Sequence, residues 1–209
     1  MSKQITLTWR GHSCFKVQDE NFSLLLDPYL DGKVPGLNNL RDTAHLVLCS
    51  HSHDDHGYRE AIELVDTDVP NPFAITTVEC PHDDAGGSKR GMNQIHVFDN
   101  GTLRIAHFGD IGCPLDEEQR SQIGQLDAAM IPVGGFYTME PAGIQELLEQ
   151  LNPRVVIPMH YRTEEFGFPV IRLPEDFLQL RDDVVQYDTN ILTITKNMPK
   201  QTAVLRYLG

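Results

Sequence analysis

One six-residue stretch, His51-Ser52-His53-Asp54-Asp55-His56, restricts what this chain can fold into more than any other. It follows directly on His45-Leu46-Val47-Leu48-Cys49-Ser50, a largely apolar run, and so lies where a strand gives way to a loop. In an extended or turning segment His51 and His53 point to the same side, because strand side chains alternate with period two. Asp55 and His56 follow in the turn, so their side chains can point to a second position close by in space. Imidazole nitrogen and carboxylate oxygen are ligands that Zn²⁺, Mn²⁺ and Fe²⁺ accept. The stretch therefore offers two half-sites for metal ions rather than one complete site. A polar loop with a chance histidine cluster is the plain alternative, and the apolar strand leading straight into it argues against that.

The rest of the chain must then supply the missing ligands, and three further strand ends do. Phe73 to Val78 reads as a strand, and His82 comes in the polar loop behind it. Leu103 to Phe108 reads as a strand that runs into Gly109-Asp110-Ile111-Gly112, where flanking glycines allow a sharp turn that presents the Asp110 carboxylate. The two oxygens of that carboxylate could each face one cation. Val155 to Met159 reads as a short buried strand ending at His160. His12 and His107 are weaker candidates, read first as structural histidines. Asp27 is read as ordering a loop through backbone hydrogen bonds.

Between these points the pattern alternates strands with short helices. Ile5–Trp9, Cys14–Val17 and Phe22–Leu26 form a meander, and residues 29–44 form a surface loop. Tyr58–Val65, Asp116–Leu126, Pro141–Leu151 and Pro174–Leu180 read as helices. Gln94–Phe98 pairs with Leu103–Phe108 through the Asp99-Asn100-Gly101 turn, and Ala128–Val133 is a buried strand. Strands near Val184–Tyr187, Ile191–Thr195 and Ala203–Tyr207 complete the core. The loops at residues 29–44, 83–93, 134–140 and 162–173 are expected to wall the site.

Length and charge narrow the function classes. At 209 residues, without a linker or repeat, residues 1–209 are expected to form a single domain. A formal charge of −13 repels nucleic-acid backbones and anionic membranes on average, so neither partner is expected. Four widely spaced cysteines without a Cys-x-x-Cys pair suggest reduced thiols. The N-terminal segment has no apolar core of signal-peptide length, and cytoplasmic residence is the expectation.

Together, Gly11-His12-Ser13-Cys14-Phe15, Leu26-Asp27-Pro28, His51-x-His53-x-Asp55-His56, Phe108-Gly109-Asp110 and Ile157-Pro158-Met159-His160-Tyr161 closely resemble the metallo-β-lactamase superfamily of metal-dependent hydrolases. Pro132-Val133-Gly134-Gly135-Phe136-Tyr137-Thr138-Met139 looks like the small branch that includes the ascorbate-phosphate lactonase-like proteins. The resemblance implies an α/β fold, a four-layer αββα sandwich with the metal centre at one edge of its two sheets. It implies that His51, His53 and His82 hold one metal, that Asp55, His56 and His160 hold a second, and that Asp110 bridges them. Zinc is the first expectation, with manganese or iron open because no cysteine replaces a ligand. A hydroxide on the paired metals, oriented by Asp55, would then cleave an ester, lactone, thioester or phosphoester in a small anionic metabolite. Nucleic-acid phosphodiester cleavage and iron-dependent oxygenation on the same scaffold stay open as alternatives, as does a homo-oligomer.

Overall fold

The computed structural model describes residues 4–66 and 68–209. Residues 1–3, part of the segment read as lacking a signal-peptide core, lie outside the described residues. Strands β1 (Gln4–Gly11), β2 (Cys14–Asp19) and β3 (Phe22–Leu26) form the expected antiparallel meander. It is extended by β5 (Leu46–Leu48), parallel to β3, and by β13 (Ile191–Thr195), antiparallel to β1. Among the described residues the second sheet has seven strands. Its antiparallel part is β7 (Ala74–Pro81), β8 (Met92–Asp99) and β9 (Arg104–His107). Its parallel part continues from β9 through β10 (Ala128–Pro132), β11 (Val155–Met159), β14 (Gln201–Val204) and β12 (Val184–Gln186).

Side-chain alternation on β3 explains how the sheets stack. Leu24 and Leu26 enter the main core with Ile5, Leu7, Val97 and Ile105, contributed by both sheets. Leu25 points the other way, into a second cluster with Tyr29, Val34, Leu40, Val47 and Ile62. Burying a side chain of this size contributes about 1.5–3 kcal/mol, and the second cluster is what keeps the 29–44 segment on the sheet. Strands β10 and β11 are buried at every position, as expected of parallel strands covered on both faces. Helices α1 (Glu117–Ile123) and α2 (Pro141–Leu151) are crossovers of this sheet, and α3 (Glu175–Leu178) lies between β11 and β12. In α2, Ile144, Leu147, Leu148 and Leu151 form the buried stripe, and Pro141 stands at the first turn. A reciprocal Asp116–Gln119 capping box opens α1.

Three expectations need correction. Tyr58–Val65 is not a helix: only Arg59–Ala61 makes a 3-10 turn, with no side-chain cap at Tyr58. Ile62–Leu64 then becomes strand β6, parallel to β4 (Asp42–Ala44) within the segment read as loop. Ala61 and Ile62 are buried in the second cluster while Glu63 and Leu64 are exposed, and pairing with Asp42–Ala44 draws the stretch into a strand. The last strand lies at Gln201–Val204, shifted from the expected Ala203–Tyr207. The outer cover of the five-stranded sheet is thus the 29–44 segment, the β4–β6 ribbon and a 3-10 turn. Among the described residues, no helix is long and apolar enough to cross a membrane.

Candidate metal centre

Every expected ligand sits just past a strand end. The 51–56 loop follows β5, His82 follows β7, Asp110 comes three residues after β9, and His160 follows β11. These ends meet in two compartments. Ligand atoms of His51, His53 and His82 lie within 4.8 Å of one another, and those of Asp55, His56 and His160 do likewise, joined by His12. Asp110 stands between the groups. Its Oδ2 is 3.3 Å from His56 Nε2, 3.4 Å from His82 Nε2 and 3.1 Å from His160 Nε2.

The donor chemistry fits cations. Nε2 of His51 and His56, Nδ1 of His82, both ring nitrogens of His160 and Oδ1 of Asp110 are buried without a hydrogen-bond partner among the described residues. Leaving one such polar group unpaired costs about 1–3 kcal/mol, so a converging set of them calls for an external partner. Burial pushes the imidazole pKa of His51 down to about 3, helped by His56, and burial also lowers that of His82. For the carboxylates burial acts in the opposite direction but is outweighed. His160 and His56 hold Asp110 well below the usual carboxylate range, and His56 and His12 do the same for Asp55. Neutral His51 and His82 beside ionised carboxylates are in the protonation states that ligate. At His56 burial is outweighed by Asp110, Asp55 and Asp27, which raise its pKa, so a cation there would displace a proton.

Asp27 does more than the expected loop ordering. Fully buried, its carboxylate accepts from Ser50 N and Ser50 Oγ, both at 2.6 Å, and from His56 Nδ1 at 2.7 Å. Since Ser50 Oγ donates to Asp27, it accepts from His51 Nδ1 at 3.0 Å. One carboxylate thereby assigns the tautomer of two ring systems and turns both Nε2 lone pairs toward the centre. No local signal near Leu26-Asp27-Pro28 reveals this, because the partners lie 23 and 29 residues away.

His12 is the second residue that sequence reasoning undervalued. It is buried with φ of 51°, its Nε2 lies 3.3 Å from Asp55 Oδ2, and its ring lies 4.1 Å from that of His160. The clue was present, since His12 also follows a strand. Burial and the neighbouring His160 lower its pKa to about 4. His107, by contrast, is structural: Nε2 donates to Ser13 O at 2.8 Å, and Nδ1 accepts from Gly109 N at 3.2 Å.

Asp110 is held from behind by Asn93. The Asn93 amide nitrogen donates to Phe108 O at 2.9 Å, and its oxygen accepts from Asp110 N at 2.8 Å. Between them Gly109 has φ of +51°, and a Cβ there would lie 2.2 Å from Asn93 Oδ1 and 2.4 Å from Ser50 Cβ. Gly109→Ala is expected to destabilise the protein by about 2–4 kcal/mol, from left-handed strain plus overpacking. Chemical denaturation checks this, and an unchanged midpoint would mean that the turn yields freely. A similar close approach, a Gly134 Cβ 2.1 Å from His160 O, packs the β10 and β11 ends backbone to backbone.

The centre opens into a cleft of about 450 Å³. Each of the four loops expected to wall the site contributes one lining side chain: Lys33, Arg90, Tyr137 and Phe168. Lys33 pairs with Asp54 at 3.1 Å, tying the 29–44 segment to the ligand loop. Among the described residues, no cysteine belongs to the clustered ligand groups.

Residues 6–160 match the family model of the beta-lactamase superfamily domain. A metal-dependent hydrolase from Caldivirga maquilingensis is 27% identical, over 87% of this chain and 91% of its own length. The crystal structure of a putative Zn-dependent hydrolase of the metallo-beta-lactamase superfamily from Thermotoga maritima superposes with a TM-score of 0.73 at 31% identity, covering 96% of this chain and 98% of that one. The metallo hydrolase Igni18 from Ignicoccus hospitalis shares the fold, with a TM-score of 0.62 at 22% identity over 85% of this chain and 90% of its own.

Proposed function

Since the chain belongs to the beta-lactamase superfamily and is one of its metal-dependent hydrolases, we propose that it holds two divalent cations and cleaves an ester, lactone, thioester or phosphoester in a small acidic metabolite. The carrying observation is the place of Asp110, whose Oδ2 lies within 3.4 Å of histidines from both compartments. In this reading His51, His53 and His82 hold the first cation, Asp55, His56 and His160 the second, and Asp110 is shared. When bound, such a pair supplies Lewis acidity and a water acidified enough to attack near neutral pH.

The protein's own groups do the remaining work. Asp55, kept ionised and held by His12 at 3.3 Å, orients the attacking water through a hydrogen bond to its carboxylate. Asp27 fixes the tautomers of His51 and His56. Tyr137 and Phe168 line the cleft and exclude bulk water from one side. The cleft's size suits a metabolite better than a polymer.

Elemental mass spectrometry on protein purified without added metal or chelator tests the reading. About two zinc or manganese ions per chain are expected, with hydrolysis of at least one member of a lactone, thioester and phosphoester panel that disappears on chelation and returns with metal. Absence of any bound divalent ion even after reconstitution would sink the proposal. Tightly bound iron with oxygen consumption would replace hydrolysis by an oxidative reaction.

A further inference from the structure

The charges lining the cleft are nearly all committed. Asp55 and Asp110 belong to the centre, and Lys33 is paired with Asp54. Arg90 is the exception. Among the described residues its guanidinium makes neither an ion pair nor a hydrogen bond, although Lys89 beside it pairs with Asp84 at 2.6 Å. Its one side-chain partner is the Tyr137 ring, whose centroid lies 5.4 Å from Cζ. A guanidinium whose only side-chain partner is an aromatic ring keeps its N–H donors free for a planar oxyanion. Glu79 lines the adjoining groove with Arg90 yet forms no ion pair with it among the described residues.

The backbone beneath Arg90 is unusually well fixed. Asp83, 2% exposed, accepts from the N–H groups of Ala85, Gly87, Lys89 and Arg90 at 2.8–2.9 Å. Burial works against ionisation of Asp83, but these four donors bring its pKa down to about 2. At the other end of the loop His82 N donates to Gly91 O at 3.0 Å. The root of Arg90 is therefore tied to a candidate metal ligand through a short stretch of ordered backbone. Phe168, 6.0 Å from Tyr137, offers apolar surface in the same cleft.

We propose that Arg90, backed by Tyr137, forms a subsite for a carboxylate or phosphate carried by the substrate away from the bond being cleaved. This rests on the hydrolase reading above and narrows it. The substrate is a small ester-type compound with a terminal oxyanion and a short apolar segment lying against Tyr137 and Phe168. In a chain of net charge −13, one uncommitted cation inside a cleft also draws such an anion in locally.

The test compares 4-nitrophenyl hydrogen succinate, which carries a free carboxylate, with neutral 4-nitrophenyl butyrate. The kcat/KM ratio of the two is expected to favour the acidic ester. It should fall about tenfold or more in Arg90→Gln, recover partly in Arg90→Lys, and fall severalfold in Tyr137→Leu. Calorimetry on metal-free protein with succinate or inorganic phosphate reads the subsite without the metals. Binding should be lost in Arg90→Gln, and the tighter anion names the group recognised. Equal ratios in wild type and Arg90→Gln, with anion binding unchanged, would overturn the subsite and leave the hydrolase reading standing. Anion binding that depends on Arg90 in a protein cleaving neither ester would keep the subsite and count against ester cleavage.

Discussion

Asp110→Asn is expected to cut hydrolytic turnover by on the order of a thousandfold, and to lower bound metal well below two per chain. The substitution keeps the shape of the side chain but removes its charge and one oxygen. Asp110 Oδ2 lies within 3.4 Å of His56, His82 and His160, so its loss reaches both compartments at once. In the metal-free protein the same change removes the anion that, with Asp55 and Asp27, outweighs burial and raises the His56 pKa. Metal analysis, single-turnover kinetics and a melting curve on one preparation separate loss of ligand from loss of fold. Full activity with full metal content would remove Asp110 from the centre.

Asp27→Ala should be the most damaging change outside the ligand set. It strips a fully buried carboxylate from Ser50 and His56 and leaves their donors unpaired, at about 3–5 kcal/mol. With neither His51 nor His56 held in its tautomer, metal affinity should also fall about 10–100-fold. The pH dependence gives a second handle. Burial would raise the Asp27 pKa, but His107 and His56 more than offset it and hold it below its ordinary 3.8. A depressed carboxyl contributes stability that is complete above 3.8 and declines as pH falls below it. Asp27→Asn should therefore flatten the acid limb of the stability curve. Denaturant midpoints between pH 2 and 6 test this, and an acid limb as steep as that of the wild type would contradict the assignment.

The contrast between Asp110 and Asp27 shows what the sequence could and could not say. Asp110 was legible because glycines flank it at the end of a strand pattern, and a local signal matched a local cause. The His51–His56 loop was legible for the same reason, as was α2, with Pro141 at its start and a stripe of four buried residues. Asp27, Asn93 and the uncommitted state of Arg90 depend on partners brought together by sheet stacking, and periodicity carries no trace of such pairings. The Tyr58–Val65 error has a related origin. A short apolar-polar stretch fits helix or strand equally, and only the neighbouring Asp42–Ala44 edge decides for β6.

The backbone-on-backbone packing at the strand ends bears on how such a centre is inherited. Gly134 presses directly on the His160 carbonyl, whereas Gly109 leaves room for the Asn93 and Ser50 side chains to close on the turn that carries Asp110. A single methyl group at either glycine would disturb the centre. Substrate range in such an architecture is then expected to change through the cleft residues Arg90, Tyr137 and Phe168 rather than through the glycine-packed rim of candidate ligands.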